Sequence, residues 1–282
     1  MTSTVSTSST GSGSGSSSGS PDLGLFGPGS AAWRLHREPA LLVGGLRALM
    51  LQALHPLAMA AVTDFSDYRS DVWGRYARTT NYVVTTIFGT TRQAEALGRR
   101  VREVHRPMRG VDAVTGQAYA ADDPVLLLWV HAALIESFAV AYRRLVRPLT
   151  VAELDGYVGE MVRQAQLVGL EAASVPATWE QLQGFLRSMR PALLATPAAV
   201  DALDTVLHPP LPLWRKPAWW AITRAALSLL PDYALELYGL RRRPTLEAVL
   251  RPLIGRGARF ARLVLPPPPM IREARRRARE GR

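Results

Sequence analysis

Apolar residues recur at spacings of three and four along almost the whole chain, which is the period of an amphipathic α-helix. Runs that alternate apolar and polar residues between turn signals, as β-strands do, hardly occur. The pattern therefore predicts an all-α fold. With 282 residues and 48% hydrophobic content, the chain can bury a core of ordinary density, so we expect a single globular multi-helix domain.

Capping residues and prolines delimit the predicted helices. Pro56 ends or kinks the first long helix, because proline removes a helical hydrogen bond. Asp122 or Asp123 is positioned to cap a later helix, and Thr150 with Glu153 has the spacing of a capping box. The predicted helices span residues 39–54, 71–88, 90–106, 122–146, 150–168, 178–189, 197–207, 218–230 and 244–265.

The two ends of the chain differ in composition from the middle. Residues 1–28 are rich in Ser and Gly and are predicted to form a disordered tail, because they have little to bury. Residues 266–269 are consecutive prolines, which predict a polyproline stiffener ahead of a basic end that can itself be a helix. The predicted organisation is a tail at 1–28, a helical domain at 29–265, and a stiffener with a basic tail at 266–282.

Two stretches are apolar enough to raise the question of a membrane span. Residues 41–62 contain Arg47, Gln52 and His55, and residues 125–142 contain His131 and Glu136. Each of these side chains is costly in lipid, so both stretches are predicted to be buried core helices. The sequence therefore predicts a cytoplasmic protein without a transmembrane segment.

The formal net charge is +11, and much of the excess lies at the C-terminus. The last eleven residues hold six arginines against two glutamates. Surfaces that read nucleic acid interleave such charge with stacking aromatics or a docking motif, and neither is visible here. We therefore expect a solvated basic end and no specific nucleic-acid partner, with a peripheral contact of the tail with anionic membrane left open.

Candidate metal ligands are confined to a few positions. The chain has no cysteine, which excludes disulfides, thiolate nucleophiles, iron–sulfur clusters and haem attached through cysteine. Three histidines, His55, His105 and His131, lie inside apolar helical segments. Leaving a buried imidazole unpaired costs about 1–3 kcal/mol, so each is either a hydrogen-bonded core residue or a ligand.

A polar cluster lies on one face of the helix predicted at 71–88. Positions 75, 78, 79 and 82 share this face and hold Arg75, Arg78, Thr79 and Tyr82. Arginine donors suit a carboxylate such as a haem propionate, and a threonine hydroxyl can donate to a bound oxygen species. The alternative is a partly solvated face whose arginines pair with acidic neighbours, namely Asp64, Asp67 or Asp71.

Several short motifs occur in a fixed order along the chain. They are RALMLQALHP at 47–56, RYART at 75–79, FGT at 88–90, VREVH at 101–105 followed by RG at 109–110, and WVHA at 129–132. Their order resembles the family that contains latex clearing protein (rubber oxygenase) and the MpaB-type oxygenases. The resemblance covers about residues 33–240. It implies an all-helical fold around a non-covalent haem b that binds dioxygen.

The resemblance also implies roles for single residues. The proximal iron ligand would be His105, and Arg75 and Thr79 would match the arginine and threonine near the haem. Arg78 stands where those enzymes carry a lysine that can approach the iron, which arginine cannot ligate in the same way. No residue matches the glutamate proposed as their base, so the resemblance does not extend to rubber cleavage itself.

The resulting prediction is a haem-b-dependent oxygenase-like oxidoreductase acting on a small apolar substrate with dioxygen. Arg75, Arg78 and Thr79 are the candidate catalytic residues, and His105 is the candidate metal ligand. The other candidate cofactor-binding residues belong to the shared motifs and are His55, Arg109 and His131, together with Arg75.

Two other functions are compatible with the sequence. A non-haem iron site would combine two histidines with a carboxylate such as Asp64, Asp123 or Glu136, although Glu-x-x-His pairs are absent. A non-catalytic helical module would keep its histidines as core residues and bind anionic membrane or nucleic acid through the basic tail. Against that module stands the clustering of rare polar residues in apolar helices, which costs stability.

Overall fold

The computed structural model describes residues 21–66 and 68–280. Within these residues the regular structure consists of thirteen α-helices, three short 3₁₀ turns and a two-stranded antiparallel hairpin. The prediction of an all-α fold is therefore confirmed. Most of the predicted N-terminal tail, residues 1–20, lies outside the described residues.

The elements are labelled in chain order. They are α1 Ala31–His36, α2 Leu41–Gln52, α3 Pro56–Phe65, α4 Val72–Phe88, α5 Thr91–His105, β1 Arg109–Val111, β2 Ala118–Ala120, α6 Pro124–Leu145, α7 Val151–Leu167, α8 Trp179–Met189, α9 Pro197–Leu207, α10 Lys216–Ser228, α11 Asp232–Leu237, α12 Pro244–Val264 and α13 Pro269–Glu280.

Sequence signals place several helix ends where they were predicted. Thr150 and Glu153 form a capping box at the start of α7, and the side chain of Asp123 caps α6. Pro56 separates α2 from α3, and the chain bends there by 102°. His55 is the extended residue at this bend, with φ −86° and ψ 113°. The irregular backbone beside His55 therefore follows from the proline.

Helices α2 and α6 pack against each other in the main core. Gly44 permits a close approach, since a Cβ there would lie 3.0 Å from the Phe138 ring. Between the helices, Nη1 of Arg47 donates to Glu136 Oε2 and to Ser137 Oγ, each at 2.5 Å. A buried charge is tolerated when it is paired and hydrogen-bonded, so this network allows α2 to carry a polar residue into the core.

The hairpin after α5 was not predicted. Its strands are only three residues long, too short to give a recognisable alternating pattern. Gly110 faces Tyr119 across the hairpin, and a Cβ at Gly110 would lie 2.6 Å from the tyrosine oxygen. That hydroxyl donates to Asp64 at 2.5 Å, which ties the hairpin to the end of α3.

Residues 21–28, which the sequence pattern assigns to the N-terminal tail, contact the helical domain. Asp22 accepts hydrogen bonds from the backbone nitrogen and the hydroxyl of Thr91, both at 2.8 Å. These two groups lie at the start of α5, where a carboxylate satisfies free backbone donors. Residues 21–28 therefore pack on the helical domain.

The basic C-terminal end forms a helix, as the sequence allows, and this helix packs on the domain. Residues 269–280 form α13, and its Ile271 and Ala274 are buried in the main core. Nη2 of Arg277 donates to the carbonyl of Phe88 at 2.6 Å, which attaches α13 to the end of α4. Because α13 is amphipathic, its apolar side packs on the domain while most of its arginines remain exposed.

Helix α6 is long and apolar enough to cross a membrane, and α2 with α3 passes the same test as a bent pair. The most apolar stretch of α6 is 67% buried inside the fold. His131 and Glu136, the polar residues that argued against a span, are buried with it. This is the environment expected for a core helix.

Candidate functional site

A cavity of about 670 Å³ lies between α2, α3, α4, α5, α6 and α9. Its volume falls within the range of roughly 300–1,000 Å³ that is usual for small-molecule and cofactor sites. The wall is mainly apolar, with side chains from all of these helices. Representative apolar residues are Leu49, Met59, Val62, Leu127, Leu203 and Val206. Such a wall favours an apolar ligand.

Four residues singled out from the sequence line this cavity together: Arg75, Arg78, Thr79 and His105. Three belong to α4 and the fourth is the last residue of α5. Helices α4 and α5 pack against each other and are joined by a tight connection, so the end of α5 returns to the first turns of α4. The helical hairpin therefore brings the imidazole to the arginine and threonine face.

His105 is half-buried, and its ring makes no hydrogen bond with any residue in the described parts of the chain. Burial lowers the pKa of His105 below its usual value, and the negative charge of Asp122 partly opposes this effect. The imidazole is therefore mainly neutral near pH 7. A neutral imidazole presents a lone pair to a metal ion or to a hydrogen-bond donor.

Arg75 has no acidic partner among the residues that the structure describes. Its Nη1 donates to Ser66 Oγ at 2.7 Å, while burial and the neighbouring Arg78 lower its pKa. Arg78 instead pairs with Asp71 at 3.0 Å, and both side chains are exposed. Asp67, another expected partner, lies outside the described residues. Arg78 therefore matches the expectation of an ion-paired, solvated helix face. The charge of Arg75, in contrast, would be compensated by an anionic ligand.

Tyr82, the fourth residue of the predicted polar face, does not line the cavity. Burial raises its pKa, because the charged phenolate is disfavoured away from water. The polar face therefore reaches the cavity only through the first part of α4.

The cavity wall also carries aromatic side chains that were not among the residues predicted from the sequence. Trp73 and Tyr76 lie on α4, and Trp219 comes from α10. Trp73 and Trp219 meet edge-on with ring centroids 5.5 Å apart. The spacing of Trp73 and Tyr76 relative to Thr79 would have placed these two on the same helix face. No local signal identifies Trp219, because α10 is distant in sequence.

The three other cofactor-binding candidates do not line the cavity. His55 lies against Trp129, with ring centroids 6.1 Å apart, and His131 is buried in α6. Nδ1 of His55 and Nε2 of His131 are buried without a hydrogen bond to any described residue. Burial lowers the pKa of both, to about 4 for His131. Arg109 lies on β1, where it pairs with Asp122 at 3.0 Å.

The carboxylates considered for a non-haem iron site make other contacts. Glu136 pairs with Arg47, Asp64 accepts from Tyr119, and Asp123 caps α6. Within residues 21–66 and 68–280, no group of three His, Cys, Asp or Glu residues is arranged to hold a metal ion.

Comparison with protein families agrees with this geometry. The family described as ER-bound oxygenase mpaB/B'/Rubber oxygenase, catalytic domain, matches residues 33–264. The chain belongs to this family. The resemblance inferred from the motifs is thus confirmed, and it extends through α12. No curated protein and no solved structure matches the chain.

The match includes the whole wall of the cavity, from Leu46 to Trp219. The cavity therefore belongs to the oxygenase catalytic domain. An oxygenase must bring an organic substrate and dioxygen together, and this cavity offers both an apolar wall and a small set of polar groups. It is the candidate active site.

Proposed function

We propose that the protein is a haem-b-dependent oxygenase acting on a small apolar substrate. The observation that carries this proposal is the His105 imidazole, which has no hydrogen-bond partner in the described chain and lies on the wall of a mainly apolar cavity. A metal-binding histidine needs a free ring nitrogen, and His105 has one. Membership in an oxygenase family supports the same reading.

The residues present fit a haem. His105 would ligate the iron, and Arg75, which lacks an acidic partner among the described residues, would pair with a propionate. Attachment would be non-covalent, since the chain has no cysteine. When bound, the iron porphyrin would supply the dioxygen chemistry that protein side chains lack.

The remaining wall residues would bind and orient the substrate. The apolar side chains remove water from the cavity and hold an apolar molecule by contact area. Thr79 supplies a hydroxyl that can donate a hydrogen bond to an oxygen atom of a ligand. Arg78, held by Asp71, places a permanent positive charge at a more exposed part of the wall.

The proposal is tested by haem reconstitution. The purified chain should show a Soret band, and His105→Ala should abolish it or shift it strongly, because the iron loses its protein ligand. His208→Ala is the matched control, since His208 is an exposed histidine whose ring contacts Asp204 and does not line the cavity. Absorption spectra of the oxidised and dithionite-reduced protein give the measurement.

Two outcomes would contradict the haem proposal. A protein that takes up no haem and contains no iron would remove its basis. Iron without porphyrin absorbance would instead support the non-haem alternative.

Oxygenation itself is checked by incubating the haem-loaded chain with isotopically labelled dioxygen and apolar test compounds, followed by mass spectrometry of the products.

The cytoplasmic location stays a prediction, and a contact of residues 266–282 with anionic membrane stays open as an alternative. Ile271 and Ala274 of α13 are buried, so over residues 266–280 such a contact would involve the exposed arginines of this helix. The prediction of no specific nucleic-acid partner also remains.

A further inference from the structure

Helix α12 has one face on the core and another without a partner. Ile254 and Ala258 pack on the main core, and Gly255 approaches Leu145 so closely that a Cβ would lie 2.7 Å from its carbonyl oxygen. Apolar residues at spacings of three, four and seven share the opposite face and are exposed, Leu263 by 84%. These residues, called the α12 stripe below, are Val249, Leu253, Phe260, Leu263 and Val264.

Positive charge surrounds the α12 stripe. Residues 241–265 hold seven arginines and a single acidic residue, Glu247. Glu247 is already paired with Arg251 at 2.7 Å. Arg241, Arg243 and Arg256 are exposed and make no ion pair with the residues that the structure describes. This surface therefore presents uncompensated guanidinium groups next to apolar side chains.

A second cavity, of about 300 Å³, lies beside these arginines and between α10, α11 and α12. Leucines from α10, α11 and α12 line it together with Arg224, Arg241 and Arg243. The guanidinium of Arg224 also lies 5.9 Å from the ring centroid of Trp220, which is 45% exposed. Tryptophan and arginine beside apolar side chains are typical of surfaces that meet lipid headgroups.

Charge and composition distinguish the candidate occupants of the α12 stripe. Residues 1–20 contain only Met1 and Val5 as apolar residues, too few to cover it. A second copy of the chain would bring two arginine-rich surfaces together, with like-charge repulsion. An anionic bilayer matches both features, because apolar side chains enter the interface while guanidiniums meet the phosphates.

We propose that the α12 stripe docks the protein on the surface of an anionic membrane, with Arg241, Arg243 and Arg256 at the headgroups. The docking element is α12. It precedes residues 266–282, the segment for which the sequence left such a contact open. The inference goes beyond the proposed oxygenase function and requires no cofactor. Its failure would leave the haem proposal untouched.

The experiment measures co-sedimentation of the full chain with lipid vesicles. Vesicles of equal parts phosphatidylcholine and phosphatidylglycerol should bind the protein, and phosphatidylcholine alone should bind it much more weakly. Phe260→Ser combined with Leu263→Ser should lower the partition coefficient about tenfold or more. Val151→Ser is the matched control, since Val151 is an equally exposed apolar residue on α7 and should leave binding unchanged.

Charge variants separate α12 from α13. Arg241→Gln with Arg243→Gln should weaken binding to the mixed vesicles by about fivefold per arginine. Arg272→Gln with Arg275→Gln, both exposed on α13, should leave it unchanged. All of these positions are exposed, so thermal unfolding should be unaffected and reports that the variants fold.

Three results would overturn the proposal. The first is no binding to either vesicle. The second is binding that is lost with the α13 variant and kept with the stripe variant. The third is a dimer, seen by analytical ultracentrifugation without lipid, that the Phe260→Ser and Leu263→Ser variant abolishes, since the stripe would then belong to a second copy of the chain.

Discussion

At the scale of single residues, the histidines of the apolar helices differ in what surrounds them. The ring of His36 contacts the Tyr157 hydroxyl at 3.0 Å and packs on Phe138, and His131 is enclosed within the helical core. His105 instead lies on the wall of an open space. Of these three rings, the one that lines the cavity is therefore that of His105.

Arg75 should contribute to haem affinity if it pairs with a propionate. Arg75→Gln removes a charge-assisted hydrogen bond of about 1.5–3 kcal/mol, so the dissociation constant for haem should rise about tenfold or more. Arg78→Gln should have a smaller effect, because Asp71 already compensates that guanidinium. Haem titration followed by absorbance measures both. Equal losses for the two variants would contradict the assignment of Arg75.

At the scale of secondary-structure elements, the packing of α2 on α6 sets the position of the cavity wall. The last turns of α2 and the first turns of α6 both line the cavity. The two helices approach each other closely at Gly44, where a Cβ would meet Phe138, Ala141 and Ser137 at 3.0–3.1 Å. At Gly45, one position along the same helix, the nearest atom would be 3.9 Å away.

The two glycines give a matched test of this packing. Gly45→Ala should stabilise the protein by about 0.5–1 kcal/mol, because alanine is the better helix former. Gly44→Ala gains the same propensity but crowds α6, so its free energy of unfolding should be lower than that of Gly45→Ala by about 1–3 kcal/mol. Denaturant unfolding measures the difference. Indistinguishable values would show that α6 accommodates the methyl group freely.

At the scale of the whole molecule, the buried histidines make stability depend on pH. Burial lowers the pKa of His36 to about 3 and that of His131 to about 4, whereas an unfolded histidine titrates near 6.5. Between these values the unfolded chain binds more protons than the folded one. The free energy of unfolding therefore falls as the pH decreases from about 6.5 to 4.

Removing one of these histidines should flatten that dependence. With a folded-state pKa of about 4, His131 alone should account for about 3 kcal/mol of the stability lost between pH 7 and pH 4. His131→Gln should lose correspondingly less over this interval, whereas His208→Gln, at an exposed position, should behave as the parent chain does. Denaturant unfolding at the two pH values provides the measurement. A parent chain equally stable at both would contradict the argument.

Much of the helical architecture could be predicted because its signals are local. Pro56, Asp123 and the Thr150–Glu153 pair mark helix ends through contacts within a few residues, and the structure has helix ends at each of them. The motif order also identified the family. The face of α4 that carries Arg75, Arg78 and Thr79 followed from helical spacing alone.

Which partner each helix face packs against could not be predicted from local signals. The short hairpin, the packing of residues 21–28 and the burial of Ile271 depend on partners far away in the chain. A helical pattern shows that an imidazole lies on an apolar side, but it does not show whether that side meets a neighbouring helix or a cavity. For this reason His55, His105 and His131 were equivalent candidates by residue pattern.

The sequence by itself determined most of the helices, several of their caps and the family, because periodicity, capping chemistry and motif order are properties of short segments. The tertiary structure alone decided that His105 joins Arg75, Arg78 and Thr79 around one cavity while His55, His131 and Arg109 stay outside its wall. It also decided that the apolar face of α12 has no partner among the described residues. Both outcomes depend on how separate helices pack in three dimensions, and no local pattern encodes that packing.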